Sequence, residues 1–255
     1  TVDGAVNLTG PLTLSGAGQV TLTNASKSIA GVNFTAASTL NLTTASADIL
    51  GNVNTTHTSG SAQVFGAFSA GSANRSYTVA DGSAATDLLI SANISGSGRI
   101  SKLGDGAMSL SGDNSGLSGG FRVGGTGATP ANGGRVFITN ANSLGTGQLQ
   151  LNSGTIVAAA ILTGANALPV ALSVGAPSTA NGGLGGVLNG DMQFNGDFGL
   201  IKSTGPTEYL LTVGSTVILA GNVTASAGTS TSAGFTKGGA GTLILAGSSN
   251  AMTEV

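Results

Sequence analysis

Ile100 to Gly112 reads I-S-K-L-G-D-G-A-M-S-L-S-G, and Phe235 to Gly247 reads F-T-K-G-G-A-G-T-L-I-L-A-G. The two stretches align without a gap at a constant offset of 135 residues, from Lys102 to Lys237. Gly104, Gly106, Met108, Leu110 and Gly112 fall on Gly239, Gly241, Leu243, Leu245 and Gly247. A second copy held in register is the mark of a repeat architecture. In each copy a short strand meets a glycine pair, and the strand that follows turns alternate residues to one apolar side.

The same grammar runs outward in both directions. From Val2 to Thr23, Val6 and Leu8, Leu12 and Leu14, and Val20 and Leu22 alternate with polar residues, and each short run closes on Gly or Gly-Pro. Further strands are predicted at Ile29 to Phe34, Thr39 to Leu42, Ile49 to Val53, Leu88 to Ile90, Gly134 to Ile138, Leu149 to Val157, Met192 to Phe194, Tyr209 to Val213 and Thr216 to Leu219. No window keeps a helical period, so essentially no α-helix is expected. Alternation weakens near 55–82 and 160–186, where lateral excursions are expected; the second stretch holds Pro169, Pro177 and the glycines of 182–186.

Composition narrows the class. Glycine supplies 44 of 255 residues, charged residues 7% and aromatics 4%. The 40% hydrophobic residues are spread along the chain, which favours folding over disorder. With no Trp and many small aliphatic side chains, thin stacked layers suit this chain better than a wide globular core. Eight scattered Lys and Arg within a net charge of −2 argue against nucleic-acid binding. Cysteine is absent, which removes disulfides, thiolate metal sites and thiol nucleophiles. The longest apolar run, Ile156 to Leu162, is too short for a membrane helix, so no membrane insertion by this segment is expected.

The residues I-x-K-x-G-x-G-x-M-x-L-S-G-x-N at Ile100 to Asn114, then S-G-G-F-R-V, G-R-V-F-I and S-L-G-T-G-Q-L up to Leu149, resemble the passenger-associated repeat of bacterial autotransporters and related surface proteins. Gly116 and Leu117 stand where that motif often carries an aromatic residue, and a glycine-rich insertion fills 124–133. The resemblance implies a right-handed parallel β-helix displayed on a bacterial surface or secreted, usually without catalytic residues in the repeat. At roughly 20 to 25 residues per rung, the whole of 1–255 is expected to form one continuous β-solenoid of about ten to twelve rungs.

Few side chains invite a chemical reading. His57 is the only histidine, so no histidine metal cluster exists, and a Ser-His-Asp arrangement would need Asp48 or Asp81 beside it. An exposed loop histidine is the expectation. Asp191 and Asp197, in N-G-D-M-Q-F-N-G-D-F, have the residue types of a glycosidase pair or of calcium ligands, but two Asn-Gly-Asp turns account for them more simply. Asp105 becomes Ala240 in the second copy, which argues for a turn rather than a metal site. Lys102 and Lys237 could serve as lyase bases, yet recurrence at one repeat position points to a structural place at a rung edge. Asn-x-Ser/Thr triplets at Asn7, Asn41 and Asn222 are expected by chance in so Thr- and Ser-rich a chain. No catalytic, cofactor-binding or metal residue is therefore assigned, and no cofactor.

The function expected is that of a non-enzymatic extracellular or cell-surface rod: an adhesin, stalk or filament segment acting through shape. The alternative is a glycan-binding or glycan-cleaving β-helix of the tailspike or pectate-lyase type. The second motif copy breaks off where a T-V-x-G-x-V-x-L strand would follow, and Thr1 to Leu8 reads T-V-D-G-A-V-N-L. Two readings follow, a segment of a longer solenoid or one unit of a head-to-tail filament. Expected partners are other copies, by axial or lateral association, and cell-surface or matrix glycans.

Overall fold

The computed structural model describes residues 1, 6–126, 132–175, 185–200, 207–225 and 233–249. The chain is all-β, a parallel β-solenoid of about eight turns. Among the described residues the only helical element is a single 3-10 turn at Gly164–Asn166. Strands of successive turns stack in parallel, so the backbone groups of the strands pair with the turn above or below.

The strands form three faces. One sheet of ten strands runs from Leu12–Leu14 through Val32–Phe34, Val53–Thr55, Arg75–Val79 and Ile100–Leu103 to Val223–Ala225, and constitutes one face. A twelve-stranded sheet covers a second face and bends onto the third. Its long strands Gln19–Ile29 and Thr39–Ile49 turn that corner, with register shifts between Thr21 and Ser26. The third face continues through Asn93–Ser95, which pairs with residues 67–69, and re-forms as the sheet Met192–Phe194, Thr216–Leu219 and Thr242–Leu245.

Period-two alternation sends every second residue inward, and equivalent positions stack into columns. Leu12, Val32, Val53 and Tyr77 are successive register partners, and so are Phe121, Leu149, Leu172 and Phe198. Most of these side chains are fully buried. Turn length varies: partners are 20 residues apart from Val20 to Leu40 and 32 from Ile156 to Leu188.

Within 55–82, where a lateral excursion is expected, Ala62–Ser69 and Arg75–Val79 lie in the sheets in register with their neighbours. Local alternation is blurred there by the corner at Gly66, where φ is 98°. Within 160–186, Leu162 and Leu168 bridge to Met192 and Phe194, and Leu172–Val174 joins the ten-stranded sheet; residues 176–184 lie outside the described residues.

The two motif copies occupy different faces. Ile100–Leu103 lies in the ten-stranded sheet and Ala107–Leu110 in the twelve-stranded one, whereas Ala233–Gly238 lies in the twelve-stranded sheet and Thr242–Leu245 on the third face. The motif thus encodes a corner, and its second copy sits five turns and one face further along. Its glycines are required at that corner. Gly104 and Gly239 have φ of 80° and 76°, and a Cβ on either would lie 2.4 Å from a carbonyl oxygen of the preceding turn, that of Val79 or Val213.

Candidate functional site

Three places collect polar chemistry: the motif corner, the carboxylates of the turns, and a groove on the third face. At the corner, Lys102 is the register partner of Tyr77 and Val123 and occupies an inward core column, not a rung edge. Its stem is buried, and its ammonium reaches back to the corner, donating to the carbonyls of Leu103 (3.0 Å), Gly104 (2.9 Å) and Gly133 (3.1 Å). Burial pulls Lys102 down to about 8, while the charges of Asp105 and Asp87 act in the opposite direction. Lys237 repeats the gesture, donating to Gly238 (3.4 Å) and Gly239 (2.8 Å), but is exposed. Its register partner Leu211 is also an inward residue.

Next to this corner, Asp87 is fully buried and accepts from the backbone N–H groups of Gly82 (3.0 Å) and Ala107 (2.8 Å). His57 is buried, contrary to the exposed loop position expected; one ring nitrogen, Nε2, lies 3.1 Å from the Asp87 carbonyl oxygen, and Nδ1 has no partner. Neither Asp48 nor Asp81 is a partner of His57. The sequence hides this arrangement because His57 and Asp87 are 30 residues apart and meet only through stacking.

Two further carboxylates, Asp191 and Asp197, and several amides hold neighbouring turns together. Asp191 accepts from the N–H of Thr216 (3.0 Å) and Asp197 from that of Asn222 (2.9 Å), while Asn222 accepts in turn from Ser249 (3.0 Å). Asn52 and Asn74 make the same bond to Ser76 and Arg99, at 2.9 and 3.0 Å. Each is a clip, one turn long, between a side-chain oxygen and a backbone N–H. Asp191 and Asp197 therefore act separately, as turn residues. Asp105 is exposed and accepts from Asn132. Among the described residues no group of three or more His, Cys, Asp or Glu is placed to hold a metal ion.

The third site is open. Where the twelve-stranded sheet turns its corner, Leu42 pairs with Gly66 and Asp48 with Ser69, so six steps on one strand face three on the next. Thr43, Ala47 and Asp48 of this longer corner form one wall of a groove of about 660 Å³. Residues 67–69 and 93–95, paired in register, make the floor. Asp113 and Gly116 make the far wall, held by the Asp113 N–H donating to Asn93 (2.8 Å) and the Gly96 N–H donating to Gly116 (3.0 Å). Hydrogen bonds from the backbone and side chain of Ser115, with a further one from Asn142, hold the Asp113 carboxyl below its usual range. None of the residues lining the groove is basic.

No family model, curated protein or solved structure matches this chain. No helix among the described residues is long and apolar enough to cross a membrane.

Proposed function

We propose that the chain is a non-enzymatic structural rod of the bacterial cell surface or extracellular space, of the autotransporter passenger type, working as an adhesin, stalk or filament segment. The observation that carries this reading is where the charged groups are used. Asp87, Asp191, Asp197 and Lys102 each bond to backbone of their own or a neighbouring turn, and the lysine is enclosed. A catalytic acid or base must instead reach a substrate atom.

The finer geometry belongs to the same proposal: a right-handed winding, favoured by the general hand of parallel crossovers, in ten to twelve rungs when those that reach only some of the faces are included. Self-association, end to end or side by side, accompanies it, since a solenoid's terminal strands present open backbone edges. Electron microscopy of the purified chain, paired with a reducing-end assay on plant and bacterial polysaccharides, tests the reading. Rods about 50 Å long, single or joined, and no released ends are expected. Compact particles would refute it, as would glycan cleavage that Asp191→Asn abolishes.

A further inference from the structure

We infer that the groove on the third face binds a neutral oligosaccharide, lying across the rod between the wall of Thr43, Ala47 and Asp48 and that of Asp113 and Gly116. The site goes beyond the rod reading, which needs no ligand. Its volume, about 660 Å³, falls within the usual range of small-molecule sites, roughly 300 to 1,000 Å³. Its depth comes from a mismatch in corner length, so a long corner and a turn face each other across two tighter turns of chain. Three turn spacings separate the walls, about 14 Å.

The chemistry of the lining selects the ligand. Asp48 on one wall and Asp113 on the other are acceptor-only groups when ionised. Asn93 spends its carbonyl oxygen on the Asp113 N–H, which leaves its amide N–H groups to donate. Ser69 accepts from the Gly71 N–H at 3.1 Å, which leaves its hydroxyl proton to donate. A ligand must therefore offer donors at the two walls and acceptors over the floor. Sugar hydroxyls do both, and the small side chains of Ala67, Ser69 and Ser95 let a ring approach the sheet closely.

Other ligand classes fit less well. An anionic sugar would meet two carboxylates and no basic residue. A compact monovalent cation would reach the carboxylate of one wall alone, and a polyamine long enough to bridge both walls, being donor-only, would leave the floor donors unmatched.

Isothermal titration of the purified chain with cellohexaose, maltohexaose and chitohexaose tests this, with hexagalacturonate and spermidine as charged comparisons. At least one neutral hexasaccharide is expected to bind with a Kd on the order of 1 mM or below, and hexagalacturonate is expected not to. Ser95→Trp, on the exposed side of its strand, fills the floor and should weaken binding by at least about tenfold; Asp48→Asn should weaken it by several-fold, about 5-fold. Circular dichroism and melting curves of both variants should match those of the parent. Absence of binding by every neutral sugar up to about 10 mM, binding unchanged in both variants, or binding of spermidine alone would overturn the proposal. None of those results bears on the rod reading, which is decided by particle shape and the reducing-end assay.

Discussion

Replacing Lys102 by Met separates the role of its ammonium from that of its stem. The side chain fills an inward column position, and Met keeps that apolar stem. What is lost is the donor to Leu103, Gly104 and Gly133. Pairing with the next turn ends at Lys102 and Val123, and just beyond that point the Lys102 ammonium supplies the donor to the corner carbonyls. Charge-assisted bonds of this kind contribute about 1.5 to 3 kcal/mol each. The fall from 10.5 to about 8 is the net balance of burial against the charges of Asp105 and Asp87, roughly 3 kcal/mol against the charged form, and Met removes that penalty together with the donors. Carbonyls left without a partner cost about 1 to 3 kcal/mol each, so loss of the donor to three of them is expected to make Lys102→Met a net destabilisation of about 2 to 4 kcal/mol.

Lys237→Met removes two bonds from an exposed ammonium and should cost under about 0.5 kcal/mol. Urea unfolding followed by circular dichroism measures both. The pH profile adds a second, independent signature. Between about 8 and 10.5 the folded state has released the Lys102 proton while the unfolded chain still holds it. The burial penalty is thus fully present below about 8 and is relieved as pH rises towards 10.5, so this group makes stability climb over that window. The climb should be missing in Lys102→Met. Equal losses for the two lysine variants, or a stabilised Lys102→Met, would refute the argument that the corner carbonyls depend on this ammonium.

Tyr77 is fully buried with no partner for its hydroxyl, and burial pushes its ionisation upward despite Arg75. Tyr77→Phe should therefore be neutral or stabilising by up to about 1 kcal/mol. It should also blunt the loss of stability above about pH 10, where only the unfolded tyrosine ionises; melting curves across that range read both effects. The two kinds of aspartate should respond differently to an amide. Asp87→Asn turns an NH2 group towards one of two backbone N–H donors and is expected to cost about 2 to 4 kcal/mol. Asp197→Asn keeps an oxygen for its single N–H and should stay within about 0.5 kcal/mol of the parent, as thermal unfolding would show.

Much of this architecture is written locally. Alternation at Val6 and Leu8, Leu12 and Leu14, or Thr216 to Leu219 identifies strands, because a two-residue period needs no knowledge of the partner strand. The repeated Lys-x-Gly-x-Gly marks the corner in the same way, since its glycines answer a local backbone need at Gly104 and Gly239. The turn role of Asp191 and Asp197 was also legible, because Asn-Gly-Asp is turn chemistry whatever the fold.

Stacking decided the rest. Which face a strand joins depends on the sum of all preceding corner lengths, and turns range from 20 to 32 residues. No local pattern therefore reveals that the second motif copy is displaced by one face. The same is true of Lys102, which reads as an edge residue in one dimension and proves a core residue once Tyr77 and Val123 lie on either side. His57 meets Asp87, and the groove opens beside Asp48, only because turns of unequal length are brought into parallel register. Sequence by itself determined the strands and the corner; the accumulated register, a long-range quantity, determined burial, neighbours and the groove beside Asp48.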